Sequence, residues 1–194
     1  IESQTIADRL EIIVVNSGSQ QNEERIVKQF QKRYRNIVYL HTEERESVYA
    51  AWNRAIRVAH GKYLTNANVD DRHRRDALEI MVRTLESNPD VGVVYADCVV
   101  TYKENTTLEK GPIHGRFRWP DFDRRLLFQS CFIGPQPMWR KELHEQFGLF
   151  DEEFESAGDY EFWLRISDKT KFLHLPMVLG LYLLSPASIE HRNA

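Results

Sequence analysis

The chain has 194 residues, of which 11 % are aromatic, and its formal net charge is -3. This length favours one domain with a sizeable core, and the aromatic content excludes a disordered chain. The slight acidity gives no general attraction to nucleic acid, and no apolar run reaches the roughly 18 residues of a membrane span.

Strands and helices are predicted to alternate through the first third of the chain. Residues 10–15 form a continuous apolar run, which is typical of a strand buried on both faces of a sheet, and residues 36–40 form the next strand. Apolar side chains recur at helical spacing over residues 22–35 and 46–60. This order predicts βα repeats and therefore an α/β fold with a mostly parallel, Rossmann-like sheet flanked by helices.

The most informative stretch is residues 61–71, where a short predicted strand runs directly into polar and acidic residues. Asn68, Asp70 and Asp71 follow the strand, and residues 72–86 are predicted to be helical. Carboxylates at the end of such a strand face the crevice in which α/β folds bind ligands, and they suit a hard divalent cation. The alternative is that Asp70 and Asp71 only cap the following helix.

The second half of the chain contains fewer clear repeats. Strands are predicted at residues 91–100 and 171–184, a short helix at 138–147, and a helix that begins near Asp159. Cys98 and Cys131 are far apart and lie in apolar stretches, so they are predicted to be core thiols of a cytoplasmic domain.

Four segments together carry a resemblance to a known family. They are residues 11–19 (EIIVVNSGS), 51–63 (AWNRAIRVAHGKY), 68–71 (NVDD) and 158–165 (GDYEFWLR). In this order and spacing they resemble family 2 inverting glycosyltransferases with the A-type glycosyltransferase fold. The resemblance covers nearly the whole chain and implies one domain over residues 1–194, with a donor half at about 1–100 and an acceptor half at about 101–194.

The resemblance implies transfer of a sugar from a nucleotide-diphosphate sugar to a saccharide or other hydroxyl acceptor, with Mn²⁺ or Mg²⁺ on the diphosphate. The physical chemistry agrees, because a departing nucleoside diphosphate develops negative charge that a divalent ion stabilises. Inversion also needs one base that takes the acceptor proton from the opposite side. No nucleic-acid partner and no membrane span in this chain are expected.

The family's Asp-X-Asp motif coincides with residues 68–70. Asp70 matches the carboxylate that meets the metal, whereas the first acid of the motif is Asn68 here, which brings an oxygen but no charge. His191 resembles a late histidine that some relatives use as a metal ligand, although a histidine in a polar tail is usually solvent-exposed.

The resemblance also implies a donor-binding set. Asn16, Ser17, Gly18 and Ser19 occupy the turn that holds the nucleotide base and ribose in the family, where two acids are common. A merely structural turn with Gly18 at positive φ is the alternative. Asn53 and Arg54 resemble helix residues that face the donor, and for Arg54 a solvated surface position is the alternative.

Asp159 matches the usual catalytic base of the family, while the preceding glutamate of the family is Gly158 here. A helix-capping role for Asp159 is the alternative. The replaced acids keep a second function open, a non-catalytic glycosyltransferase-like binding or scaffold module. Residues 1–5 resemble the end of the family's first helix, so the family's first strand is expected to be absent from this sequence.

Overall fold

The computed structural model describes residues 1–185, which contain eight strands and six α-helices. A short 3-10 turn, Ala7–Arg9, comes first. The strands are β1 (Ile12–Ser17), β2 (Ile37–Thr42), β3 (Tyr63–Thr65), β4 (Arg72–His73), β5 (Val91–Thr101), β6 (Gly115–Phe117), β7 (Met138–Arg140) and β8 (Lys171–Leu183). The helices are α1 (Glu23–Gln31), α2 (Val48–Val58), α3 (Ala77–Ser87), α4 (Arg124–Leu127), α5 (Glu142–Phe147) and α6 (Gly158–Ile166).

The described strands form two sheets. β1 and β2 pair in parallel as a two-stranded sheet, and the other six strands form a second sheet in the order β3-β7-β5-β8-β4, with β6 paired to β5. The α/β class predicted from the sequence is confirmed, whereas the prediction of a mostly parallel sheet is wrong, because only two of the six strand pairs in residues 1–185 are parallel. Parallel pairing holds for β1 with β2 and for β5 with β8, whereas β3, β4, β6 and β7 pair antiparallel. These short strands return to the sheet from loops, and antiparallel pairing needs no helical crossover.

The long ladder between β5 and β8 is the centre of the molecule. β5 is buried along nearly its whole length, as expected of a strand covered on both faces. Opposite Asp97 the register shifts, because Ala96 pairs with Leu175 and Asp97 with Val178. Pro176 lies in the two-residue excess of β8, where its missing N–H removes no ladder hydrogen bond.

Two hydrophobic clusters cover the two faces of this sheet. Val93 and Tyr95 of β5 belong to an aromatic cluster with Phe162 and Trp163 of α6. Val94 and Ala96 point the other way, into a cluster that contains the buried face of α3. Side chains alternate along a strand, so one strand connects both layers and fixes α3 and α6 on opposite faces.

Three local predictions are wrong. The helix predicted from residue 72 begins at Ala77, because Arg72–His73 pairs with β8 as β4. The front of the helix predicted at 138–147 is β7, which pairs with both β3 and β5 before α5 begins. Cross-strand pairing overrides local spacing at both places. Cys98 is buried as predicted, whereas Cys131 is exposed.

None of the helices in residues 1–185 has the length and apolar character needed to span a bilayer.

Candidate active site

The two adjacent acids in the turn after β3 differ in burial, since Asp70 is exposed and Asp71 is buried. Asp71 is 7 % exposed, and its carboxylate accepts hydrogen bonds from the backbone N–H of Leu183 (3.0 Å) and from the side-chain amide of Asn68 (3.1 Å). Burial raises the pKa of Asp71 to about 6, against the hydrogen bonds from Leu183 and Asn68, which lower it. Asp71 therefore fixes the turn to the end of β8.

Asp70 is exposed and lines a cavity of about 360 Å³. The lining residues are Val69, Asp70, Arg72, Glu104, Asn105, Leu183 and Ser185. The capping alternative for Asp70 and Asp71 is wrong, because α3 starts at Ala77 with Asp76 at its N-cap position. Asp70 is thus placed in a hollow rather than at a helix end.

The cavity suits a hard cation chemically. Asp70 and Glu104 bring carboxylate oxygens, and the guanidinium of Arg72 lies in the same lining, where its Nη1 donates to the carbonyl of Asp71 at 2.7 Å. Mg²⁺ and Mn²⁺ prefer oxygen ligands. Such ions are commonly bound by few protein carboxylates together with oxygens of the substrate phosphates. Within residues 1–185 no group of three or more His, Cys, Asp or Glu side chains could hold a metal. His191, the other predicted ligand, lies outside the described residues.

The predicted donor turn at the end of β1 is held by one hydrogen bond within the turn and one to the segment before α2. The side-chain oxygen of Asn16 accepts from the backbone N–H of Ser19 (3.0 Å), and the hydroxyl of Ser17 accepts from the backbone N–H of Glu46 (2.6 Å). Gly18 has φ +61°, and a Cβ there would stand 2.7 Å from the backbone nitrogen of Arg45. Glycine is therefore required for the turn, and its contact with nucleotide stays a prediction.

The two donor residues predicted on α2 lie in different surroundings. Asn53 is 1 % exposed, and its amide both donates to the carbonyl of Phe150 (2.8 Å) and accepts from the N–H of Phe150 (3.0 Å). Arg54 is half-exposed and paired with Glu46, with Nε and Oε2 3.1 Å apart. Asn53 thus anchors the loop before α6, and a donor role for either residue stays a prediction.

Asp159 is the second residue of α6, a position where the helix dipole favours a negative charge. The hydroxyl of Tyr49, in the first turn of α2, donates to Asp159 Oδ1 over 3.1 Å. The N-cap position is Ala157, in the left-handed region with φ +60°, so the capping alternative for Asp159 does not describe this helix. Asp159 is partly buried at the start of a helix whose other face is in the core.

The N-terminus of α2 brings part of the predicted set together. The helix is capped by Ser47, whose hydroxyl accepts from the N–H of Ala50 (3.2 Å), and the preceding Glu46 touches Ser17 while Tyr49 touches Asp159. The cavity of Asp70 is built from other segments, and Asp159 is not among its lining residues. The structure therefore shows two acidic centres, one in the cavity and one beside α2.

Two residues of these centres were missed from the sequence. Glu104 belongs to a polar excursion with no motif, and its place in the lining of the same cavity as Asp70 depends on the chain returning after β5. Tyr49 has the spacing of a core residue of α2, and only a contact across 110 positions reveals its hydrogen bond with Asp159.

The sequence pattern of the family described as "Glycosyl transferase family 2" matches residues 1–146. An uncharacterized glycosyltransferase of Methanocaldococcus jannaschii is 25 % identical over 173 residues, which are 89 % of this chain and 59 % of that protein. The chondroitin synthase of Escherichia coli is also 25 % identical over 173 residues, again 89 % of this chain but 24 % of that protein. The chain thus spans a fraction of the length of these relatives.

Solved structures show the same fold. The crystal structure of S. aureus TarS 1-349 in complex with UDP matches with a TM-score of 0.72 and 16 % identity, over 95 % of this chain and 54 % of that one. A mannosyltransferase from Pyrobaculum calidifontis, in complex with GDP-Man and Mn²⁺, matches with a TM-score of 0.68 and 21 % identity, over 93 % of this chain and 50 % of that one. The predicted A-type glycosyltransferase fold is confirmed by these likenesses.

Proposed function

Because this chain belongs to glycosyl transferase family 2, we propose that it transfers a sugar, with inversion, from a nucleotide-diphosphate sugar to an acceptor hydroxyl. The observation that carries the proposal is the division between Asp70 and Asp71. Asp71 is engaged by the fold, while its exposed neighbour lines a cavity together with Glu104 and Arg72. That cavity can receive a diphosphate and the cation that accompanies it.

Asp70 and Glu104 are the residues that would hold Mn²⁺ or Mg²⁺, and such a cation supplies Lewis-acid stabilisation of the diphosphate charge. Arg72 adds a fixed positive charge to the same hollow. The turn at residues 16–19 is proposed to border the nucleotide, since Asn16 and Ser17 order its backbone.

Asp159 is proposed to act as the general base. Its carboxylate takes the proton of the acceptor hydroxyl while the acceptor oxygen forms a bond to the anomeric carbon. The bond from that carbon to the diphosphate oxygen breaks, and its electron pair leaves with the nucleoside diphosphate. Attack from the side opposite the leaving group inverts the anomeric configuration.

Calorimetric titration tests the donor site. UDP-GlcNAc and GDP-mannose, the donor types of the structural neighbours, are titrated into the wild type with and without Mn²⁺. Binding of at least one donor is expected to require Mn²⁺ and to weaken by about tenfold or more in Asp70→Asn. Asp8→Asn makes the same charge change on an exposed residue of the first turn and should bind as the wild type does. Absence of heat with both donors would instead favour a non-catalytic binding module.

A further inference from the structure

The position before the proposed base has no room for a side chain. A Cβ placed on Gly158 would stand 2.7 Å from two ring carbons of Tyr49, closer than non-bonded carbons approach. The ring of Tyr49 therefore fills the space beside the backbone that leads into Asp159. This contact joins the first turn of α2 to the first turn of α6.

The phenol of Tyr49 is held firmly in this place. Tyr49 is 5 % exposed, and its ring packs against Trp52 at a centroid distance of 5.6 Å and against Phe150 at 5.9 Å. Burial, together with the nearby charge of Asp159, raises the pKa of Tyr49, so the phenol keeps its proton and acts as a donor. Its hydroxyl lies 3.1 Å from Oδ1 of Asp159.

The other acid in the first turn of α6 is engaged elsewhere. Glu161 forms an ion pair with Arg165, with Oε2 and Nη2 2.6 Å apart. Arg165 also donates to the carbonyls of Phe147 (2.7 Å) and Leu149 (3.0 Å), so the pair is fixed to the loop after α5. Glu161 is therefore engaged by Arg165, while the contact from α2 to Asp159 is made by the hydroxyl of Tyr49.

We propose that Tyr49 is the positioning residue for Asp159, with Gly158 as the gap that admits its ring. The hydrogen bond to Oδ1 restricts rotation of the carboxylate and so fixes the direction in which it meets an acceptor hydroxyl. The inference deepens the proposed function and rests on it, since positioning matters for catalysis only if Asp159 is the base.

Tyr49→Phe is the decisive variant, because it removes the hydroxyl and keeps the ring over Gly158. The carboxyl carbon of Asp159 is followed by NMR against pH and is assigned by its loss in Asp159→Asn. Removing a hydrogen bond to the charged form should raise the titration midpoint of Asp159 by about one pH unit. Tyr160→Phe is the matched control, because the Tyr160 hydroxyl donates to the carbonyl of Leu127, and it should leave that midpoint unchanged.

A kinetic readout separates positioning from structure. For the donor that the wild type turns over, Tyr49→Phe should lower kcat by about tenfold with little change in KM, and move the acidic limb of the pH profile upward. An Asp159 midpoint that is the same in the wild type and in Tyr49→Phe would overturn the inference. Undiminished transfer by Asp159→Asn would overturn the proposed function instead, so the two failures are distinct.

Discussion

The two acidic centres are supported in opposite ways. In the turn at residues 68–71, the residue next to the candidate ligand holds the backbone in place. Asp71 accepts a hydrogen bond from Leu183 at the end of β8, and Asp70 lines the cavity. At α6 the residue next to the candidate base is a glycine, and the support comes from Tyr49 on another helix. The first centre is therefore ordered by sheet pairing, and the second by helix packing.

The difference has a consequence for how each centre tolerates change. Asp159 depends on an aromatic layer that includes Tyr49, Phe150 and Phe162, so mutations in that layer should affect stability and the base together. Asp70 has exposed surroundings, so its own substitution should affect ligand binding and leave the fold intact.

Lowering the pH should reduce the free energy of unfolding more than any single substitution considered below. The group responsible is His144, which packs against α6. His144 stacks on Phe162, accepts a hydrogen bond from Trp139 Nε1 (2.9 Å), and has its Nδ1 3.1 Å from the carbonyl of Gly148. Burial lowers the pKa of His144 to about 4. The unfolded chain binds this proton near pH 6.5, so the His144 contribution is complete above pH 6.5 and is lost as pH falls towards 4.

Between pH 7.5 and 4.5 this loss should amount to about 2.5 kcal/mol of unfolding free energy. Urea unfolding at a series of pH values measures the slope, which should be reduced in His144→Gln. The control His41→Gln changes an exposed imidazole of β2 and should keep the wild-type slope. Identical slopes in all three proteins would show that His144 is not a buried neutral histidine.

Gly158→Ala should destabilise the chain by about 2 kcal/mol, although alanine is the better helix former. The cause is the 2.7 Å approach of the new Cβ to the ring of Tyr49. Thermal or urea unfolding provides the measurement. Gly115→Ala is the matched control, because a Cβ there meets nothing within 4 Å. Equal stability of the two variants would mean that the ring of Tyr49 does not fill the space at Gly158.

Asp71→Ala should cost about 1.5 kcal/mol, because it leaves the backbone N–H of Leu183 and the amide of Asn68 without their acceptor. Asp71→Asn keeps one acceptor oxygen and should be milder. Asp70→Ala should change stability by less than about 0.5 kcal/mol. Urea unfolding of the three variants tests the division between the adjacent acids, and a larger loss for Asp70→Ala than for Asp71→Ala would reverse it.

Much of the fold was predictable because its signals are local. The apolar runs at residues 10–15 and 91–100 are strands, and the helical spacing of residues 46–60 is α2. The start of α3 was misplaced because the hydrogen bonds of Arg72–His73 go to β8, more than 100 residues away. A residue pattern cannot show a partner at that distance.

The residues of the candidate site were also predictable only in part. The resemblance selected Asp70 and Asp159. No motif predicts that the buried side chain of Asn53 makes two hydrogen bonds with the backbone of Phe150. Tyr49 is identified because its ring fills the space that a side chain at position 158 would occupy. This contact exists only when α2 and α6 pack together. The sequence thus indicates the chemistry, and tertiary contacts decide which neighbour supports each acid.

The most direct measurement compares transfer and donor binding in wild type and Asp159→Asn on the same samples. Sugar transfer to a panel of saccharide acceptors is followed by NMR, which also reports the anomeric configuration of the product, and donor affinity is measured by calorimetry with Mn²⁺. The account predicts an inverted product from the wild type, loss of transfer by about a thousandfold or more in Asp159→Asn, and unchanged donor affinity. Transfer by Asp159→Asn at the wild-type rate would contradict it.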